Sequence, residues 1–193
     1  MRMFRSLAPI VLLALAGCGT LSSAPPPIVE PATGVVRSVE QDGKFISLAG
    51  PQRPHGEPFL GVPGTNYFLL RSLIDTRNGE ISHQLYVEDS YFGAKRNWET
   101  ARDKAGTQLR FVEISNNEIT CNPDCSYAEE FAAALPEAML RANPQGFSVT
   151  FTAKAGNRTT LMVPGEMVAK QLAAVDDARV TLPQAAAAPA PPR

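Results

Sequence analysis

Apolar and polar positions alternate with a period of two over much of the chain between residues 34 and 182, a pattern that predicts strands. Tyr67 to Asp75 and Ile81 to Asp89 are two such runs. They flank Asn78-Gly79, a dipeptide that accepts the positive φ angles of a two-residue type I′ turn. That turn pairs Arg77 with Glu80, Ile74 with His83, Ser72 with Leu85 and Leu70 with Val87. Phe68, Leu70, Ile74, Leu85 and Val87 then share one face, and Asp75, Ser82, Gln84 and Glu88 the other. A second hairpin follows the same logic. Phe147, Val149, Phe151 and Ala153 alternate with polar residues, Gly156-Asn157 turns the chain, and Phe151 is placed opposite Met162 on the returning run Thr159 to Val163. Val35 to Val39 and Lys44 to Leu48 make an early pair around Asp42-Gly43. Thr107 to Ile114 and Glu118 to Cys121 read as strands joined at Asn116-Asn117, and Gly50 to Gly64 reads as a Pro/Gly loop.

Helical spacing is rarer. Met167, Val168, Leu172 and Val175 form an apolar stripe behind Pro164-Gly165-Glu166, with proline near the first turn, where its missing N–H is harmless. Tyr127 to Leu135 fits a strand period, although the Ser126 to Glu129 spacing also suits a capped helix. The reading adopted is a strand ending near Leu135 and a short helix from Pro136. The expected fold class is α+β and β-rich, a single domain at 34–182 of antiparallel hairpins in a sheet or sandwich, with a C-terminal helix and a short helix before the last hairpin.

The ends depart from this pattern. Arg2 and Arg5 precede a short apolar run, Leu7 to Ala16, which is too short for a membrane span and closes on Leu15-Ala16-Gly17-Cys18. Here the chain resembles bacterial lipoproteins, whose precursors carry this box before a lipidated cysteine. The resemblance implies a signal peptide at 1–17, cleavage before Cys18, and acyl chains on Cys18 that make the lipid bilayer its partner. Gly19 stands where an aspartate would signal inner-membrane retention in enteric lipoproteins, so the expected address is the outer membrane facing the periplasm. Residues 18–33 read as a Pro-rich tether and 183–193 as a disordered Ala/Pro tail. The tail is a solvated end, a wall-spanning tether or a docking peptide.

Charge narrows the function further. With 18 basic and 19 acidic side chains, there is no electrostatic reason to expect nucleic acid. No cofactor is expected, since no nucleotide, metalloprotease or nucleophile-elbow motif is present.

Cys121-Asn122-Pro123-Asp124-Cys125 is the main constellation of the body. In an exported chain its plainest reading is a disulfide between Cys121 and Cys125 that closes a small loop. The C-x-x-x-C spacing is also similar to copper-delivery and thiol-redox proteins of the respiratory assembly family, which hold Cu(I) with two thiolates and a distant histidine. That resemblance implies a periplasmic redox or copper-handling role, although both histidines, His55 and His83, lie upstream of the pair here. Cys121 to Val175, a cysteine pair followed by an extended segment, a hairpin and a helix, resembles small exported β-rich proteins of the invasion-associated locus B type. It implies an accessory or host-contact role.

Three further residues are candidates for binding. Tyr91 and Trp98, with Phe92 beside them and Lys95, Arg96 and Arg102 nearby, suit a platform for sugar or peptidoglycan, or else cap one end of the sheet. His55 lies in the Pro/Gly loop beside Glu57, whereas His83 falls on the apolar face as a core histidine. No catalytic residue and no metal ligand is assigned. The expected function is a structural or binding module of the cell envelope, with an envelope protein or peptidoglycan as partner, and the thiol-redox role as the alternative.

Overall fold

A computed structural model of the protein describes residues 26–40 and 43–181. The Cys18 box, much of the tether, Asp42 and the Ala/Pro tail lie outside the described residues. The described chain folds into two antiparallel sheets and two helices. The larger sheet contains β1 (Ile28–Val29), β2 (Val36–Val39), β3 (Phe45–Ala49), β4 (Arg53–Pro54), β5 (Tyr67–Asp75), β6 (Ile81–Phe92), β9 (Phe111–Cys121) and β10 (Cys125–Leu135). Its order is β1-β2-β3-β5-β6-β10-β9, with β4 paired on β5. The smaller sheet runs β12 (Arg158–Pro164), β11 (Gly146–Ala153), β7 (Trp98–Asp103) and β8 (Gln108–Leu109). Helix α1 (Glu137–Ala142) follows β10, and helix α2 (Gly165–Thr181) follows β12.

The alternation decides what each face buries. Phe68, Leu70, Leu85, Val87, Phe131 and Ala133 point from the larger sheet into one core, where Trp98, Val149, Phe151, Leu161 and Val163 meet them from the smaller sheet. Phe131 is its centre, with the Trp98 ring at 5.2 Å and the Phe151 ring edge-on at 5.0 Å. The predicted stripe of α2 spans two cores. Met167 and Val168 join this one, while Val175, with Ala174 and Ala178, covers Val35, Ile46, Leu48 and Ile74 in a second. One helix therefore closes the half of the large sheet that the small sheet does not reach.

The fold class, the early hairpin, the strand at Tyr127 to Leu135 and both helices agree with expectation. Four details do not. Ile28 and Val29, inside the stretch expected to be a tether, pair with β2 as strand β1, because their extended backbone meets the free edge of that strand. At the first hairpin the register is Ile74 with Ile81, Ser72 with His83 and Leu70 with Leu85. Asn78 does not take a positive φ, so no type I′ turn forms. Instead Gly79 donates to the Asp75 carbonyl, and Asp75 and Asn78 each bond a backbone N–H two residues on. Because the slip is an even number of residues, the predicted apolar face survives. At the second hairpin Phe151 faces Thr159, and Met162 lies opposite Ser148, 67% exposed. There Ala153 donates to the Asn157 carbonyl and Gly156 takes φ +91°, making a three-residue loop that turns Leu161 and Val163 inward. Finally, Asn116-Asn117 is no turn. Both lie within the continuous strand β9, paired with Glu129 and Ala128 of β10.

Candidate functional site

Cys121 and Cys125 are joined in a disulfide where β9 and β10 end opposite each other. Asn122, Pro123 and Asp124 form the exposed turn between them, with a cis Asn122–Pro123 bond. The Cys121 sulfur lies 3.9 Å from the Tyr127 hydroxyl. Neither histidine joins the pair. His83 sits opposite Leu135 at the other end of β10, and the His55 ring bonds the Glu88 carbonyl at 2.7 Å. Among the described residues no group of three or more His, Cys, Asp or Glu side chains is placed to hold a metal. A ring this small restrains little unfolded chain. Replacing both cysteines by serine is expected to lower stability by about 2 kcal/mol, read from the urea midpoint.

Beneath this turn the two core-facing carboxylates Asp89 and Glu129 stand side by side on β6 and β10, both buried. Each is fully occupied. Asp89 accepts two bonds from the Arg96 guanidinium at 2.6 and 2.9 Å and one from the Trp98 indole at 2.8 Å. Glu129 accepts from the Tyr91 hydroxyl and from the Asn97 and Trp98 backbone N–H groups. Tyr91 accepts in turn from the Arg96 N–H, and the Arg96 guanidinium stacks over its ring at 3.8 Å. Burial, reinforced by Glu129, pushes the Tyr91 hydroxyl well above its ordinary value and keeps it a donor. The cluster pins the loop between β6 and β7. Tyr91 and Trp98 are buried, so neither ring offers a face to a sugar, and they cap this end of the core.

At the opposite end, β5, β6, α1 and α2 share a second polar chain. Gln171 donates to Ser72 Oγ at 2.8 Å and to the Leu48 carbonyl at 3.0 Å. Ser72 Oγ lies 2.9 Å from His83 Nδ1, and His83 Nε2 faces Glu137 Oε2 at 3.4 Å. With the ring proton on Nε2 toward Glu137, Nδ1 accepts from the serine. These are serine, histidine and carboxylate in a row, yet Ser72 has 0% of its surface exposed and Gln171 covers it. The cleft of about 380 Å³ beside His83 is lined by Leu109, Arg110, Leu135 and Glu137 and does not open on that hydroxyl. The row ties α2 to the sheet.

Its titration gives a stability prediction. Burial pushes His83 below the ordinary imidazole value of 6.5, opposed by Glu137 and aided by the facing Arg179 and Arg141. The unfolded chain therefore takes up this proton first. The stability His83 contributes is complete above pH 6.5 and is lost as the pH falls from there toward its lower folded value. Glu137, held down to about 2 chiefly by Arg179, adds a second loss below about pH 4.5. Urea midpoints measured across that range should fall in both steps, and His83→Gln should remove only the first.

Among the buried polar residues, Asp89, Glu129 and Gln171 have roles that sequence reasoning did not assign to them. Glu129 carried a signal, a charged residue in phase with Tyr127, Phe131, Ala133 and Leu135 on a face that must be apolar. Comparison with known proteins finds no family model, no curated protein and no solved structure that matches this chain.

Proposed function

We propose that the protein is a lipid-anchored module of the bacterial envelope, held by acylated Cys18 at the periplasmic face of the outer membrane and working as a structural or binding body. The Leu15-Ala16-Gly17-Cys18 box, behind two arginines and an apolar run, carries this reading. Two features of the domain support it. The Cys121–Cys125 disulfide suits an oxidising compartment. The buried Asp89, Glu129 and Ser72 are spent on hydrogen bonds that tie the fold together, which suits a scaffold better than an acid, base or nucleophile.

The test is intact mass on full-length protein expressed in bacteria and extracted from membranes, with thiol alkylation before and after reduction. The expected species starts at Cys18, carries diacylglyceryl and acyl mass, and alkylates at Cys121 and Cys125 only after reduction. An unlipidated chain overturns the anchor. Free or metal-loaded thiols at Cys121 and Cys125 would replace the structural reading with the redox one.

A further inference from the structure

The segment Pro58-Phe59-Leu60-Gly61-Val62-Pro63-Gly64 contains no charged or hydrogen-bonding side chain. A run of that composition ordinarily enters a core. Here it stands on the surface, with Leu60 72% and Val62 51% exposed, beside Phe92 at 54%. The Phe59 ring lies 4.8 Å from the Phe92 ring, so the loop and the end of β6 form one apolar tip, next to the disulfide turn that follows β9.

The tip is held firmly. Thr65 Oγ1 accepts from the Phe59 N–H and donates to the Val62 carbonyl, both at 2.8 Å, while Gly61 and Val62 donate to the carbonyls of Pro58 and Phe59. Behind it, Asn66 Oδ1 accepts from the Ser90 N–H, Asn66 Nδ2 donates to the Glu57 carbonyl, and the Asn66 N–H is held by the Glu88 carboxylate. The His55 N–H donates to the Asn66 carbonyl and its ring meets the Glu88 carbonyl. Within this frame Leu60 takes φ +53°, a left-handed conformation that bulky residues avoid. The strain does not carry Leu60 into a core. It displays the side chain to the outside.

The backbone indicates what covers it. Of the five N–H groups between Pro58 and Gly64, those of Phe59, Gly61 and Val62 bond within the loop and those of Leu60 and Gly64 do not, while Pro58 and Pro63 have none. A surface that has met most of its N–H groups internally suits the hydrated boundary of a bilayer, where water or headgroups meet the remaining two, whereas a peptide that pairs along a strand edge needs a continuous row of free groups.

We propose that this tip dips into the boundary between headgroups and acyl chains of the bilayer. The inference rests on the lipoprotein reading, because Cys18 supplies the proximity. The reach is sufficient. The chain from Cys18 to Ile28 can span about 33 Å when extended. Ile28 lies across the sheet from Ser72, through Arg37 and Leu48, and Tyr67 is about 17 Å further along the strands. Phe92 at the tip, four residues beyond Tyr67's partner Glu88, is about 14 Å beyond that, so the level of the tip is about 31 Å away and within the reach of the extended chain. The anchor and the tip can therefore share one membrane plane. Strands β5 and β6 then stand toward the membrane, and the Glu137, Arg141, Asp176 and Arg179 cluster at the far end turns to the periplasm.

Val62, whose backbone is extended, accepts tryptophan without strain, so Val62→Trp is the reporter. The full-length, lipid-modified protein carrying it is reconstituted in vesicles of phosphatidylethanolamine and phosphatidylglycerol, with and without dibrominated phosphatidylcholine. Emission from the introduced indole is expected to move to shorter wavelength and to be quenched by the brominated chains, while the buried Trp98 of the parent protein is not quenched. Adding Leu60→Gly, which relieves the left-handed strain, should leave the melting temperature unchanged or higher and reduce the quenching. Protein that floats with the vesicles while the introduced indole remains unquenched overturns the tip and leaves the anchor standing. An introduced indole that is blue-shifted but unquenched assigns the tip to a protein contact and also overturns it. Protein that carries no acyl mass and does not float overturns both.

Discussion

Glu129→Ala is expected to lower the stability of the domain by about 4 kcal/mol, a large share of the total for a protein of this size. Glu129 is 2% exposed, and its carboxylate is the acceptor for the Tyr91 hydroxyl and for the backbone N–H groups of Asn97 and Trp98. Alanine leaves these donors with no partner in a place where water does not replace it, so each forfeits its bond at full desolvation cost. Glu129→Gln keeps a carbonyl oxygen but presents its amide nitrogen to the remaining donors, and about half the loss is expected. Urea unfolding reads both variants through Trp98, the only tryptophan of the chain. If Glu129→Ala loses less than about 1 kcal/mol, the cluster is not what holds the β6–β7 loop.

Gly146→Ala should be of similar size, about 4 kcal/mol, for a reason of shape. Gly146 begins β11 at φ +101°, and a Cβ there would stand 2.3 Å from the Val163 carbonyl oxygen and 2.9 Å from the Gly165 nitrogen. These are backbone atoms at the junction of β12 with α2, so no side chain can swing aside to relieve the contact. Gly165 mirrors it, since a Cβ there would lie 2.3 Å from the Pro144 carbonyl oxygen. Gly156→Ala separates the two contributions. It shares the positive φ, at +91°, yet its Cβ would meet nothing within 4 Å, so only the conformational part, about 1 kcal/mol, is expected. Thermal or urea unfolding of the pair measures the contact by difference.

These variants probe opposite ends of the molecule. The Asp89 and Glu129 cluster fixes the loop that carries Trp98 into the core, beside the disulfide and the apolar tip. The Gly146 and Gly165 contact seats the start of α2, whose Gln171 then reaches the Ser72–His83 chain. Disturbing either is expected to act on the whole fold, because α2 and the small sheet are what cover the apolar face of the large one.

The period-two alternation by itself determined β5, β6, β10 and β11 and their apolar faces, and the spacing around Pro164 determined the stripe of α2. Both follow from backbone geometry, which repeats along the chain and needs no partner to be read. Turn dipeptides were weaker guides. Asn78-Gly79 and Gly156-Asn157 mark where the chain reverses, but loop length depends on which N–H groups the flanking side chains and carbonyls capture, and that shifted both registers. Asn116-Asn117 carried a turn signal that pairing with the full length of β10 overrode. Glu129 was legible as an acid on an apolar face, yet its acceptor role needed Tyr91, Asn97 and Trp98 brought from another segment. Ser72, His83, Gln171 and Glu137 come from four elements, and only the packing of α2 across the sheet puts them in one row. Leu60 is the clearest case. Its composition suggested no more than a Pro/Gly loop, and its left-handed backbone and outward side chain are properties of the folded frame around Asn66.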